Sequence, residues 1–131
     1  MSNKRGFISL TSVLIISSVL MVISVGLLVR AVDDARINIT SQHSYRALAL
    51  ADTCADIAIM KLKKILHYAG NEVIILESGS CTINTISGTG NTNRAVESFA
   101  DVAGHVRRVR VIVSQISPTT TISLWEEVPA F

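Results

Sequence analysis

Residues 7–29 read FISLTSVLIISSVLMVISVGLLV, 23 positions without a charge or a proline. Sixteen of them are apolar, six are Ser or Thr and one is Gly. As a helix rising about 1.5 Å per residue, the run spans about 34 Å, enough to cross a hydrocarbon core of about 30 Å. Directly before it stands the head MSNKRG, with Lys4 and Arg5. That junction decides whether the run is a discarded signal, a plain anchor or a working part.

A secretory signal has an apolar core of about 7–15 residues and small residues at its cleavage site. This run is longer, and it is followed by RAVDDA, with Arg30 where the small residues belong. A single-pass anchor fits the length. Lys4 and Arg5 then hold the N-terminus in the cytoplasm, and everything after the run lies outside.

The stretch KRGFISLTSVLII, a short basic leader ending in Gly, then Phe, then an unbroken apolar run, resembles the N-terminus of type IV pilins and pseudopilins. The resemblance implies that a prepilin peptidase cuts between Gly6 and Phe7 and methylates the new N-terminal Phe7. Residues 1–6 are then the leader, residues 7–29 the membrane and filament-core helix, and residues 30–131 an extracytoplasmic domain.

The rest of the chain suits that layout. Between Gly26 and Gly70 there is no glycine, and no proline occurs before Pro118, so one helix from about Phe7 to about Ala69 is expected. From Leu48 on, Leu48, Ala51, Ala55, Ala58, Ile59, Leu62, Ile65 and Leu66 share a stripe at about 100° per residue, with Asp52, Asp56, Lys63 and His67 opposite. Leu50 and Ile57 lie off this stripe, where they could face a neighbouring subunit.

The period then changes. EVIIL (72–76) is a short apolar run that reads as an edge strand or a connector, while CTINTIS (81–87), RAVESFADV (94–102), HVRRVRVIVSQI (105–116) and TTISLWEEV (120–128) are β-rich and separated by short turns such as SGTGN and AGH. Val109, Val111 and Val113 face one way and Arg108 and Arg110 the other; Ile122 and Leu124 repeat the alternation. The expected fold is α+β. A long N-terminal helix packs its distal half on a small antiparallel sheet, in the element order of type IV pilins.

Two departures from the family pattern matter. The fifth residue of the mature chain is usually a glutamate in the family, and here it is Thr11. The proline often present in the membrane helix is absent. The missing carboxylate fits a minor subunit at or near a filament tip better than a major pilin.

Cys54 lies near the edge of the helical stripe, and Cys81 opens a strand that must cross that helix. In an oxidising compartment they are expected to pair; the alternative is two separate buried thiols. His43, His67 and His105 are isolated, and no metal-ligand spacing, triad or Walker loop accompanies them. No catalytic constellation, cofactor or metal is therefore expected, and SGTGN reads as a surface turn. Arg107, Arg108 and Arg110, with Arg94 on a neighbouring strand, form a possible basic patch. A net charge of +2 is too small to argue for a polyanionic partner, and nucleic acid is not expected. Trp125 reads as a packing residue.

The expected function is a minor pilin or pseudopilin-like subunit. It is anchored in the cytoplasmic membrane before assembly and carried on a cell-surface filament afterwards. The partners implied are the membrane, other pilin subunits, a prepilin peptidase and the assembly machinery. The alternative is a single-pass accessory protein whose outer domain binds a partner and never polymerises.

Overall fold

A computed structural model describes residues 3–131, with side chains from Gly6 onward. The side chains of Lys4 and Arg5, the expected leader cations, lie outside the described ones. One helix, α1 (Asn3–Lys64), is followed by five strands: β1 (Gly70–Leu76), β2 (Gly79–Thr85), β3 (Thr92–Val102), β4 (His105–Gln115) and β5 (Thr121–Glu127). By internal packing the chain forms two units, one ending at Thr40 and one covering Ser41–Phe131.

The strands form one antiparallel meander in the order β1-β2-β3-β4-β5. The turns explain the registers. Leu76 and Gly79 close β1–β2 around two residues, and Val102 and His105 close β3–β4 the same way. In the second turn Ala103 and Gly104 both have positive φ, the mirror-image geometry that matches strand twist.

Residues 41–64 of α1 cover one face of the sheet. Ala47, Leu50, Ala51, Cys54, Ala55, Ala58, Ile59 and Leu62 are buried against Cys81, Ile83, Val96, Ala100, Val109, Val111 and Val113. Four of the eight helical residues are alanines, so the backbone lies close to the sheet. Close approach lets the buried Ser98 of β3 donate its hydroxyl to the Ala51 carbonyl at 2.8 Å. Burying each Leu, Ile or Val contributes about 1.5–3 kcal/mol.

Three of the expectations, two on the helix and one on β5, need correction. First, α1 ends at Lys64, not near Ala69, and Ile65 and Leu66 are exposed instead of buried. Lys61, Lys63 and Lys64 fill the last turn, where cations suit the helix dipole. The carbonyls beyond it are claimed by Arg94, whose guanidinium donates to Leu66 O and Tyr68 O. At the other end α1 is already helical from Asn3, before Phe7.

Second, Leu50 is 4% exposed and belongs to the core, while Leu48 is only half-buried. The buried arc is wider than a narrow stripe because the helix crosses a broad sheet, and Leu50 reaches Gly79 on β2. Third, Ile122 and Leu124 do not share a face. The pairs Ile112↔Leu124 and Val113↔Ile122 leave Ser123 unmatched, a bulge that switches the alternation.

Candidate functional site

The apolar run in the first unit is helical throughout, with mean hydropathy 2.7 over its most apolar 18-residue window and none of that window buried inside the protein. Phe7, Leu10, Leu14, Met21, Val22 and Leu28 are among its exposed side chains. It is long and apolar enough to cross a membrane. Its hydroxyls do not spoil that fit. Ser12, Ser17, Ser18 and Ser24 donate to helix carbonyls three or four residues back at 2.6–2.9 Å, so their protons need no water.

Thr11 behaves alike. Its hydroxyl is 3.1 Å from Phe7 O and 3.0 Å from Ile8 O. The proton is committed to the helix, and the oxygen keeps acceptor capacity. Gly6 and Phe7 lie within the helix with no turn between them.

In the second unit Cys54 and Cys81 are disulfide-bonded, with Cα atoms 6.1 Å apart. The bridge ties α1 to β2 in the middle of the core, where both residues are buried.

The arginines do not form one patch. Strand alternation puts Arg107 on the helix side, where Nε donates to Ser44 Oγ at 2.8 Å and Nη1 pairs with Glu127. Arg108 and Arg110 occupy the opposite face; Arg110 is paired with Glu97 at 2.9 Å, and Arg108 donates to Pro129 O. Arg94 is 3% exposed. It donates to Ser87 O, Leu66 O, Gly90 O and Tyr68 O, so it binds the SGTGN turn and the segment after α1 together. A cation buried on four carbonyls is a structural clamp, not part of a ligand surface.

Lys61 pairs with Glu72 where α1 passes the start of β1, and its ammonium lies 5.3 Å from the Tyr68 ring centroid. The hydrogen bond from Lys61 holds the Glu72 carboxyl below its ordinary range. Burial, and then the Glu72 charge, push the Tyr68 phenol up to about 12.

Trp125 donates its indole N–H to Asp52 Oδ1 at 2.9 Å and so fastens β5 to α1. His43 on α1 and His105 on β4 stack with ring centroids 6.1 Å apart, a contact the sequence reading missed. The helix-side parity of β4, on which His105 and Arg107 precede Val109, could have revealed it. His67 is exposed. Among the described residues no three His, Cys, Asp or Glu side chains converge as metal ligands would.

Comparison with protein-family models, curated proteins and solved structures finds no match.

Proposed function

We propose that this protein is a structural subunit of the minor pilin or pseudopilin kind, held in the cytoplasmic membrane by residues 7–29 and later packed into a filament through the same segment. One observation carries the reading. A single unbroken helix is apolar and exposed in its first part and supplies half of a globular core in its last part. A helix used twice in this way suits subunits that pack side by side through the apolar part. The KRGF junction and the helix-then-meander order support the same reading. Lys4 and Arg5 orient the globular unit outward, where an oxidising compartment would maintain Cys54–Cys81.

The second reading is an anchored accessory protein that does not polymerise, and Thr11, in place of a carboxylate, favours it. Intact mass of the protein made with its prepilin peptidase separates the two. The filament reading expects loss of residues 1–6 and one added methyl on Phe7. A mature chain that keeps Met1–Gly6 rules it out.

A further inference from the structure

The two edges of the sheet are built differently. β5 shifts register against β4 twice, carries Glu126 and Glu127, and is followed by Pro129. Bulges, charges and prolines keep an edge strand from pairing with another chain. Between Glu72 and Leu76, β1 has neither bulge nor proline, and its pairing with β2 is unbroken.

The tight β1–β2 turn fixes which main-chain groups are free. Leu76, Ile74 and Glu72 exchange hydrogen bonds with Gly79, Cys81 and Ile83. Val73 and Ile75 therefore turn their N–H and C=O groups to the open edge. Their side chains, on the sheet face away from α1, are 63% and 85% exposed.

On the other sheet face α1 overhangs this edge. Arg46, Ala49 and Thr53 border a cleft of about 510 Å³ together with Leu76 and Glu77. Ile57 and the exposed Met60 continue that flank at helical spacing.

We propose that the β1 edge receives an extended segment of a different polypeptide as a sixth strand. It runs antiparallel to β1, places alternate apolar side chains on the Ala49–Thr53 flank, and sets a lysine or arginine beside Glu77. Free main-chain groups spaced two residues apart fit a strand and no other element. Glu72 is already held by Lys61, whereas Glu77 is exposed and in no ion pair among the described residues. A second copy of this chain fits less well. Its β5 is bulged and acidic, and its β1 repeats the carboxylates instead of complementing them. The inference does not rest on the filament reading.

The test uses the full chain in detergent micelles and a seven-residue peptide that alternates valine and threonine between terminal lysines. Amide hydrogen exchange is read by NMR. Peptide binding slows exchange at Val73 and Ile75. Ile75→Pro, which removes an edge-facing N–H and none of the β1–β2 bonds, abolishes the slowing. Glu77→Gln weakens binding several-fold. A peptide N-methylated at alternate amides fails to bind, and this control stands even if the proline variant does not fold. The proposal is overturned by no protection with about 1 mM peptide or by equal binding of the N-methylated peptide. Protection at Val73 and Ile75 that grows with protein concentration alone also overturns it, because the occupant is then a second copy.

Discussion

Arg94 Nη1 donates to the Leu66 carbonyl at 2.8 Å and so joins β3 to the segment that leaves α1. The same guanidinium serves Ser87 O, Gly90 O and Tyr68 O. Arg94→Met keeps the stem and removes every one of these donors. Losing these charge-assisted bonds is expected to cost about 1.5–3 kcal/mol, although Ser87 O keeps the Ala95 N–H as a donor. Arg94→Lys is expected to recover only part of the loss, since an ammonium lacks the planar fork. Denaturant titration in detergent, followed by Trp125 fluorescence, measures both variants. A midpoint unchanged in Arg94→Met removes the clamp from the account.

That clamp also shows where the sequence ran out of information. The helix-to-meander order, strands β2 to β5 and the alanine-rich buried face are local patterns that spacing exposes, whereas a run as short as EVIIL fits a connector as well as the strand it forms. The end of α1 is not local, because it depends on an arginine that arrives 28 residues after Leu66. The bulge at Ser123 is likewise invisible to strict alternation, which places Ile122 and Leu124 on one face. Arg107 is a different matter. Parity on β4 already sets it with Val109 and against Arg108 and Arg110, which divides the expected patch between two faces.

The Cys54–Cys81 bridge spans 27 positions of sequence. A loop of that length gives about 3–4 kcal/mol on the chain-entropy model. The double variant Cys54→Ala/Cys81→Ala, which also loses core volume, is expected to unfold at markedly lower denaturant than the oxidised protein. Reduction of the wild type gives the same direction without the volume change. Peptide mapping of envelope-derived protein without reductant should find the two cysteines linked, and two freely alkylated thiols there contradict it.

The Lys61–Glu72–Tyr68 cluster predicts opposite responses at the two ends of the pH scale. Glu72 has a lowered pKa in the fold, so its contribution is present above the ordinary value of 4.5 and is lost as pH falls through the lower folded value. Tyr68 has a raised pKa. Its contribution is complete below the ordinary 10.0 and is lost as pH rises towards about 12. Glu72→Gln should flatten the acid side of the stability profile, and Tyr68→Phe the alkaline side. Unfolding midpoints of wild type and both variants from pH 3 to pH 11 test the signs. An alkaline limb unchanged in Tyr68→Phe assigns that loss to another group.

On the proposed filament reading, Thr11 bears on the position of the chain in the assembly. Cleavage between Gly6 and Phe7, which that reading expects, would leave Phe7 with an N-terminal amine that packing among apolar helices strips of water. An unpaired buried cation costs several kcal/mol. The resemblance to pilins implies that a glutamate at the fifth mature position of one subunit neutralises the amine of the subunit added before it. Thr11 offers only a hydroxyl, and its proton is committed to Phe7 O or Ile8 O. The oxygen can accept a hydrogen bond from the amine but cannot cancel its charge. Joining beneath an earlier subunit is therefore unfavourable for this chain. Starting a filament is not, because no earlier amine awaits a partner. The expected outcome is a few copies per filament, at or near the tip. Thr11→Glu should lift that restriction and raise the number of copies in the shaft. Quantitative mass spectrometry of purified filaments, with tip labelling, reads both quantities. Wild-type chain found along the whole shaft in major-subunit numbers, or a Thr11→Glu count no higher than wild type, removes Thr11 as the determinant.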